Sequence, residues 1–241
     1  MIRHAFLACI ACVAAPAAAQ APHVWIDAAT DLRERGLSMS GGRAGLEGGI
    51  GVGTAGPMFD ISAATLRNAP RHGGADLRVT AAASYLANLG PSRLRGEVAW
   101  RGFAGGQGAL DYFEGAAHAD TLIGPLTIAA SLRYAPPQRA LGGSVVYARI
   151  GAEGGLPRSP WSLAAHVGRT SGETDDPLRA ARLRPDSTFI DWALGVRRIA
   201  GPVLLSLTYS DTDIARSRTG VPQPLRRDAG AAIVARAGIS F

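Results

Sequence analysis

From Asp228 to Phe241 the chain alternates Ala229, Ala231, Ile233, Ala235, Ala237, Ile239 and Phe241 with Asp228, Gly230, Ala232, Val234, Arg236, Gly238 and Ser240. Successive side chains of a strand point to opposite faces, so the segment predicts a strand with one apolar face that closes on an aromatic. Two architectures use such a strand: the edge of a soluble sandwich, and a membrane barrel with lipid outside and water inside. The same period recurs upstream. Val24, Ile26, Ala28 and Leu32 oppose Asp27, Asp31 and Arg33, while Ala44, Leu46, Ile50 and Val52 share a face. Phe59 and Ile61 oppose Asp60 and Ser62, and Leu77, Val79 and Tyr85 oppose Arg78 and Thr80. Leu94, Val98 and Trp100 oppose Arg93, Arg95, Glu97 and Arg101, which is the clearest of the set. Phe113 and Ala117 then face away from Glu114 and His118, Leu126 to Tyr134 from Thr127 and Arg133, and Val146 to Ile150 from Tyr147 and Arg149. With Trp161 to Val167, Ile190 to Val196 and Val203 to Tyr209, the pattern predicts about twelve strands.

Punctuation orders these strands into hairpins. Ala55-Gly56-Pro57, Leu89-Gly90-Pro91, Ile123-Gly124-Pro125, Arg158-Ser159-Pro160 and Gly201-Pro202 recur roughly every 34 residues, the length of two strands, a tight turn and a longer loop. Longer connections alternate with them at Arg35 to Gly42, Arg67 to Gly74, Ala104 to Leu110, Thr170 to Thr188 and Ser210 to Arg226. Short turns at one end and long loops at the other suit an up-and-down barrel, with an even strand count bringing both termini to the periplasmic end. A soluble sandwich does not require that alternation. The expected fold is therefore all-β: an antiparallel transmembrane barrel of about twelve strands over residues 20–241, in the bacterial outer membrane.

The N-terminus sharpens the compartment. Arg3 and His4, an apolar run from Ala5 to Ala15, and Ala17-Ala18-Ala19 read as a signal peptide over residues 1–19. No later apolar run reaches about 18 residues, which excludes a helical membrane protein. Cys9 and Cys12 both fall in the leader, so the mature protein is expected to have no thiol or disulfide. The 25 basic residues are all arginine, the formal net charge is +6, and the arginines are dispersed. Dispersed charge behind a signal peptide argues against a nucleic-acid partner.

The chemistry lies on the predicted inner face. Arg33, Arg43, Arg78, Arg93, Arg95, Arg101, Arg133, Arg149, Arg169, Arg197 and Arg236 stand against Asp27, Asp31, Glu47, Asp60, Asp76, Glu97, Glu114, Asp120, Asp191 and Asp228. Near-parity admits two readings: pairs that satisfy each other across a filled lumen, or ladders lining a water-filled pore for ions or small solutes. His118 and His166 are expected to line it too. Arg67, Arg71, Arg139, Arg179, Arg182, Arg184, Arg216, Arg218, Arg226 and Arg227 fall in loops assigned to the outside, where guanidinium can meet the phosphates of lipopolysaccharide. That leaves open a closed barrel that binds lipopolysaccharide or an external partner. No Gly-x-Ser-x-Gly element accompanies His23, His72, His118 or His166, so the chain does not read as an enzyme. Glu173, Asp175 and Asp176 lack the spacing of a calcium loop, and no metal or cofactor is expected.

Several segments resemble one family. Asp31-x-Arg33-x-Arg35-Gly36-Leu37-Ser38, Asp111-Tyr112-x-Glu114, Gly124-Pro125, Asp191-Trp192-x-Leu194-Gly195-Val196 and Tyr209-Ser210-Asp211-Thr212-Asp213 are similar, in this order, to the TorF-type porins of proteobacteria. The resemblance implies an outer-membrane pore of open substrate, and it implies that Phe241 is the signal read by the barrel-assembly machinery. Met39-Ser40-Gly41-Gly42 departs from the polar residues usual in that family after Arg-Gly-Leu-Ser, which singles out the first loop.

Overall fold

The computed structural model describes residues 22–214 and 228–241. The leader expected over 1–19 and the arginines Arg216, Arg218, Arg226 and Arg227 lie outside the described residues. The period-two segments are strands: β1 (His23–Ala29), the two-residue pair β2 (Arg33–Glu34) and β3 (Leu37–Ser38), β4 (Gly45–Gly53), β5 (Pro57–Thr65), β6 (Leu77–Leu89) and β7 (Ser92–Ala104). Then come β8 (Tyr112–Ile123), β9 (Leu126–Gln138), β10 (Gly143–Gly155), β11 (Trp161–Ser171), β12 (Phe189–Ala200), β13 (Val203–Thr212) and β14 (Ala232–Ser240). All except β2 and β3 form one closed antiparallel barrel of twelve strands, with β1 bonded to β14 from Trp25↔Ser240 to Ala29↔Arg236. Closure pairs every strand edge, which a wall in lipid requires.

The Gly-Pro joints make the short end. Gly90, Gly124 and Gly201 each open a two-residue turn at φ 59°, 58° and 60°, with proline second. Glycine at positive φ gives the primed-turn twist that matches the flanking strands, and proline's fixed φ suits the next position. The opposite end carries the long loops: residues 30–44, 66–76 with a 3-10 turn at Pro70–His72, 105–111, 139–142, 172–188 with the one-turn helix α1 (Pro177–Ala180), and the described residues 213–214 and 228–231 between β13 and β14.

The outward face is apolar and exposed, including Ile26, Ile50, Ile61, Val98, Leu132, Ile150, Leu194, Leu207 and Ile233. Aromatics cluster at its rims. Trp100, Phe113, Tyr134, Trp192 and Tyr209 lie toward the loop end, and Phe59, Tyr85, Trp161 and Phe241 toward the turn end. An apolar band between two aromatic girdles is the surface of a barrel that crosses a bilayer. No helix among the described residues is long and apolar enough to do so.

Four details differ from the sequence reading. β1 ends at Ala29, and Leu32 turns inward to a nearly solvent-free position among Ala29, Met39, Ala64, Leu66, Ala75, Leu110 and Val234. Asp31 and Arg33 therefore lie on an inserted segment, away from the wall. Arg169 points outward, between Ala148 and Ile190 near the loop end, because Gly168 and Thr170 take the inward positions of β11. β14 begins at Ala232, with Asp228 to Gly230 in a turn before it. The apolar core of the molecule consequently lies inside the barrel, at its loop end, with a second group of Leu37, Phe189, Ile214 and Ala229 beside the first.

Candidate functional site

The loop of residues 30–44 enters the lumen as a hairpin. Its tip is built by local hydrogen bonds: Ser38 Oγ donates to Asp31 Oδ1 at 2.5 Å, and Arg33 reaches Asp31 at 3.2 Å and the Gly36 carbonyl at 2.5 Å. Arg33 also donates to the Gly230 carbonyl at 2.7 Å, and Ser38 N to the Asp228 carbonyl at 2.7 Å, which ties the hairpin to the turn before β14. Gly36 has φ 72°, and a Cβ there would lie 2.5 Å from Asp191 Cβ. Only glycine lets this tip adopt the left-handed turn and press against β12 at once.

Charge fastens the hairpin to the wall. Glu34 takes Arg78 at 2.5 Å, Arg101 at 3.2 Å and Arg133 at 3.2 Å, from β6, β7 and β9. Arg35 pairs with Glu114 on β8, and Glu114 also holds Arg101 at 3.2 Å and Arg133 at 3.6 Å. Arg78 adds Glu47 at 3.0 Å. Burial alone would raise the Glu34 carboxyl, but Arg101, Arg78, Arg35 and Arg133 together hold it well below the usual carboxylate range. Burial likewise opposes the charge on Arg35, and Glu114 and Glu34 outweigh it. A half-buried carboxylate shared by three guanidiniums from three strands stays charged because every partner is in place.

Two further loops complete the cap from the loop end. Arg71 donates to the carbonyls of Arg182 and Ser38, and Arg182 donates to the Leu110 carbonyl at 2.7 Å while lying over Phe103 and Tyr112. Arg184 bonds the carbonyls of Gly172 and Ser187 at 2.8 and 3.1 Å. These three arginines, expected on the outer surface, are buried. Burial brings Arg71 down to about 10, although Asp228 opposes it, and lowers Arg182 and Arg184 as well.

Toward the turn end the inward arginines are more exposed. Arg93 pairs with Asp120 at 2.9 Å, Arg95 with Glu97 at 3.3 Å, Arg197 with Glu153 at 2.8 Å and Arg236 with Asp27 at 3.3 Å. The Arg93 and Arg197 side chains are 60% and 42% exposed, against 5% for Arg35 and 3% for Glu114. His166 bridges Arg149 at 3.1 Å and Asp191 at 3.2 Å, and Tyr147 donates to Asp191 at 3.3 Å. His118 is inward on β8, one position along from Ala117 on the lipid face.

Of the expected lining residues, Arg78, Arg93, Arg95, Glu97, Arg101, Glu114, His118, Arg133, Arg149, His166, Asp191, Arg197, Arg236 and Glu47 therefore face the lumen. Arg33 does so from the hairpin. Arg43 does not: it lies in the exposed bend before β4, as Asp76 lies in an exposed loop position. Glu34 and Arg35 escaped notice as lumen residues because they sit beyond the end of the first alternating run. Glu153 was missed among small residues. In the acidic stretch of the fifth long loop, Asp176 caps α1 through Leu178 N and Arg179 N, and no three metal-ligating side chains gather among the described residues.

The geometry also joins the scattered segments of the family resemblance: Asp31, Arg33, Arg35, Gly36 and Ser38 form the hairpin, and Tyr112, Glu114, Asp191 and Thr212 form the wall against it. The sequence profile of a family described as a bacterial protein of unknown function (Gcw_chp) matches residues 16–236. The chain belongs to the Gcw_chp family. That description carries no TorF designation and no activity. No curated protein matches the chain. Among solved structures, the KdgM porin in complex with disordered oligogalacturonate superposes with a TM-score of 0.54 at 9% identity, over 92% of this chain and 98% of that one. The COG4313 outer-membrane channel from Pseudomonas putida F1 superposes at 0.52 and 11% identity, over 95% and 97%. At these identities the likeness is one of fold, and the fold of this Gcw_chp protein is that of outer-membrane barrels.

Proposed function

We propose that this Gcw_chp protein is an outer-membrane channel for passive diffusion of ions or small hydrophilic solutes, with a weak preference for anions. The observation that carries this reading is the solvated, charge-lined turn-side half of the lumen. Alternating charges keep water in a bore and tune which permeant enters. Pairing there is close to neutral, so selectivity is expected to come from the loop-side constriction, where Arg33, Arg35, Arg71, Arg78, Arg101, Arg133, Arg182 and Arg184 outnumber Asp31, Glu34, Glu47, Glu114, Asp191 and Asp228. The resemblance to TorF-type porins and the porin-like fold support the same reading. In it, the leader over 1–19 exports the chain, Phe241 is recognised by the assembly machinery, and no bond chemistry is done.

The hairpin across the outer mouth supports a second reading, a closed barrel that binds lipopolysaccharide or an external partner. Turning Arg71, Arg182 and Arg184 inward weakens it, leaving Arg43, Arg67, Arg139 and Arg179 as the exposed arginines of the described loops. Conductance in a planar bilayer under a salt gradient separates the two. Discrete steps with an anion-leaning reversal potential support the channel, whereas a folded but silent barrel would move the assignment to the closed form.

A further inference from the structure

Between the inserted hairpin and the wall lies a cavity of about 350 Å3, counting the space that opens to solvent. Leu37, Met39, Phe103, Tyr112 and Leu183 give it apolar sides, and Glu34, Arg35, Arg71, His72 and Arg78 supply its polar atoms. We infer that this cavity is a binding site for a small monovalent anion of halide size, held between His72, Arg35 and Arg78.

Three observations lead there. First, the groups facing the cavity have several N–H donors to spare and a single spare acceptor, the unprotonated ring nitrogen of His72. Arg35 Nε and Nη1, Arg78 Nε and both ring nitrogens of His72 have no protein partner among the described residues, and His72 is only 3% exposed. The one carboxylate present, Glu34, is already engaged by Arg78, Arg101 and Arg133. A buried donor without an acceptor bears its full desolvation penalty, so an acceptor that enters is favoured on that ground alone.

Second, the local field is positive. Arg71 and Arg182 donate to neutral carbonyls, Arg182 lies over aromatic faces, and together with Arg78 they outweigh Glu34 at His72, while Asp228 offsets part of the charge on Arg71. His72 registers this field: burial, then Arg71, Arg182 and Arg78, hold its imidazole well below the ordinary range, so it stays neutral and offers one N–H. A cation would be repelled, and a neutral solute would leave the excess charge uncompensated.

Third, the space is small and its walls are fixed. His72 stacks on Phe103 at 5.2 Å, and Phe103 on Tyr112 at 6.2 Å, which leaves the enclosed part roomy enough for an occupant of about one water molecule's size. Halides meet that limit and larger organic anions do not.

The bound ion would sit between hairpin and wall, so its presence would stabilise the inserted hairpin by mass action. The test is thermal unfolding of the full-length mature protein in detergent, in sodium chloride, sodium bromide and sodium gluconate at matched ionic strength. The expected result is a higher, saturable Tm in chloride and bromide than in gluconate, by roughly a few degrees, and loss of that difference in His72→Phe, whose ring fills the cavity and keeps the stack on Phe103. Bromide-soaked crystals are expected to show an anomalous peak beside His72, which decides the matter if His72→Phe does not fold. Equal Tm values in the three salts, a halide effect undiminished in a folded His72→Phe, or water alone at the position would overturn the inference. The readout is stability rather than conductance, so a silent barrel with a halide effect would sink the channel reading and leave this site standing.

Discussion

The two halves of the lumen use the same residue types to opposite ends. At the turn end Arg93–Asp120 joins neighbouring strands and Arg197–Glu153 spans from β12 to β10 over β11, both in water, each side chain free to exchange its partner for solvent. At the loop end Glu34 and Glu114 bind Arg35, Arg78, Arg101 and Arg133 as a largely buried network that reaches from the inserted hairpin to four strands of the wall. Exposed ion pairs contribute about 0–1 kcal/mol, whereas removing one member of a buried pair costs about 3–5 kcal/mol. The difference teaches that charge on a barrel's inner face has no fixed meaning. What crosses from the opposite wall decides whether it tunes a bore or closes one.

The comparison breaks most sharply at Glu34. Glu34→Gln removes the hairpin's shared carboxylate while Arg78 keeps Glu47, and Arg101 and Arg133 keep Glu114, so the wall is expected to survive and the hairpin to detach. Loss of hairpin docking on the order of 3 kcal/mol is expected. Conductance of the variant should rise several-fold over the natural protein, with protease cleavage newly admitted between residues 30 and 44. A variant with unchanged conductance and an uncut hairpin would mean that the network is not what holds the hairpin in place.

Acid probes the same contact without mutation. The Glu34 carboxyl titrates well below 4.5 in the folded protein and near it in the unfolded chain. A depressed carboxylate contributes stability that is fully present above the unfolded value and is lost as pH falls through the folded one. The hairpin should therefore hold at pH 5 and 6 and release only well below the ordinary carboxylate range. Release centred near or above pH 4.5, followed as a step in conductance, would contradict the assigned role of Glu34. Next in size is Gly36→Ala, where a Cβ meets Asp191 and φ is 72°. A cost of about 1–3 kcal/mol is expected, read as easier hairpin proteolysis. Barrel folding, followed by the heat-dependent gel shift, should not change.

How much of this was legible in the sequence follows the same division. The wall was legible because strand alternation is strict wherever lipid lies on one side. Leu94 to Arg101 and Ile233 to Phe241 report their faces without tertiary knowledge. The inward positions of Arg93, Asp120, Arg197, Arg236 and Asp27 followed from that alternation, whereas Glu153, set among small residues, did not. The hairpin was not legible, because residues 30–44 obey no period: Leu32 continues the apolar alternation of β1 by count yet is buried in the lumen. Arg71, Arg182 and Arg184 likewise look solvated in sequence and are buried, Arg71 and Arg182 against carbonyls of distant loops and Arg184 against carbonyls of its own loop. The departure of Met39 to Gly42 from the resembled family marked the right loop, and the Asp31 to Ser38 segment marked the right residues, but nothing local indicated that Glu114 and Asp191 would be their receptors.

The smallest expected effect sharpens the comparison from the other side. Glu153→Gln removes the carboxylate that Arg197 meets at 2.8 Å and Ser162 at 2.8 Å, in the solvated half. Because both partners of the ion pair are about a third or more exposed, the loss is absorbed by water and Tm should shift by no more than a degree or two. What should change is the field in the bore. One negative charge fewer opposite Arg197 is expected to move the reversal potential a few millivolts further toward anions at low salt, and the shift should vanish at high salt as the Debye length shrinks. A large stability loss in Glu153→Gln would show that the turn-side half is as tightly integrated as the cap, and the contrast between the two halves would collapse. An unchanged reversal potential at low salt would instead place permeating ions on a path that avoids Arg197.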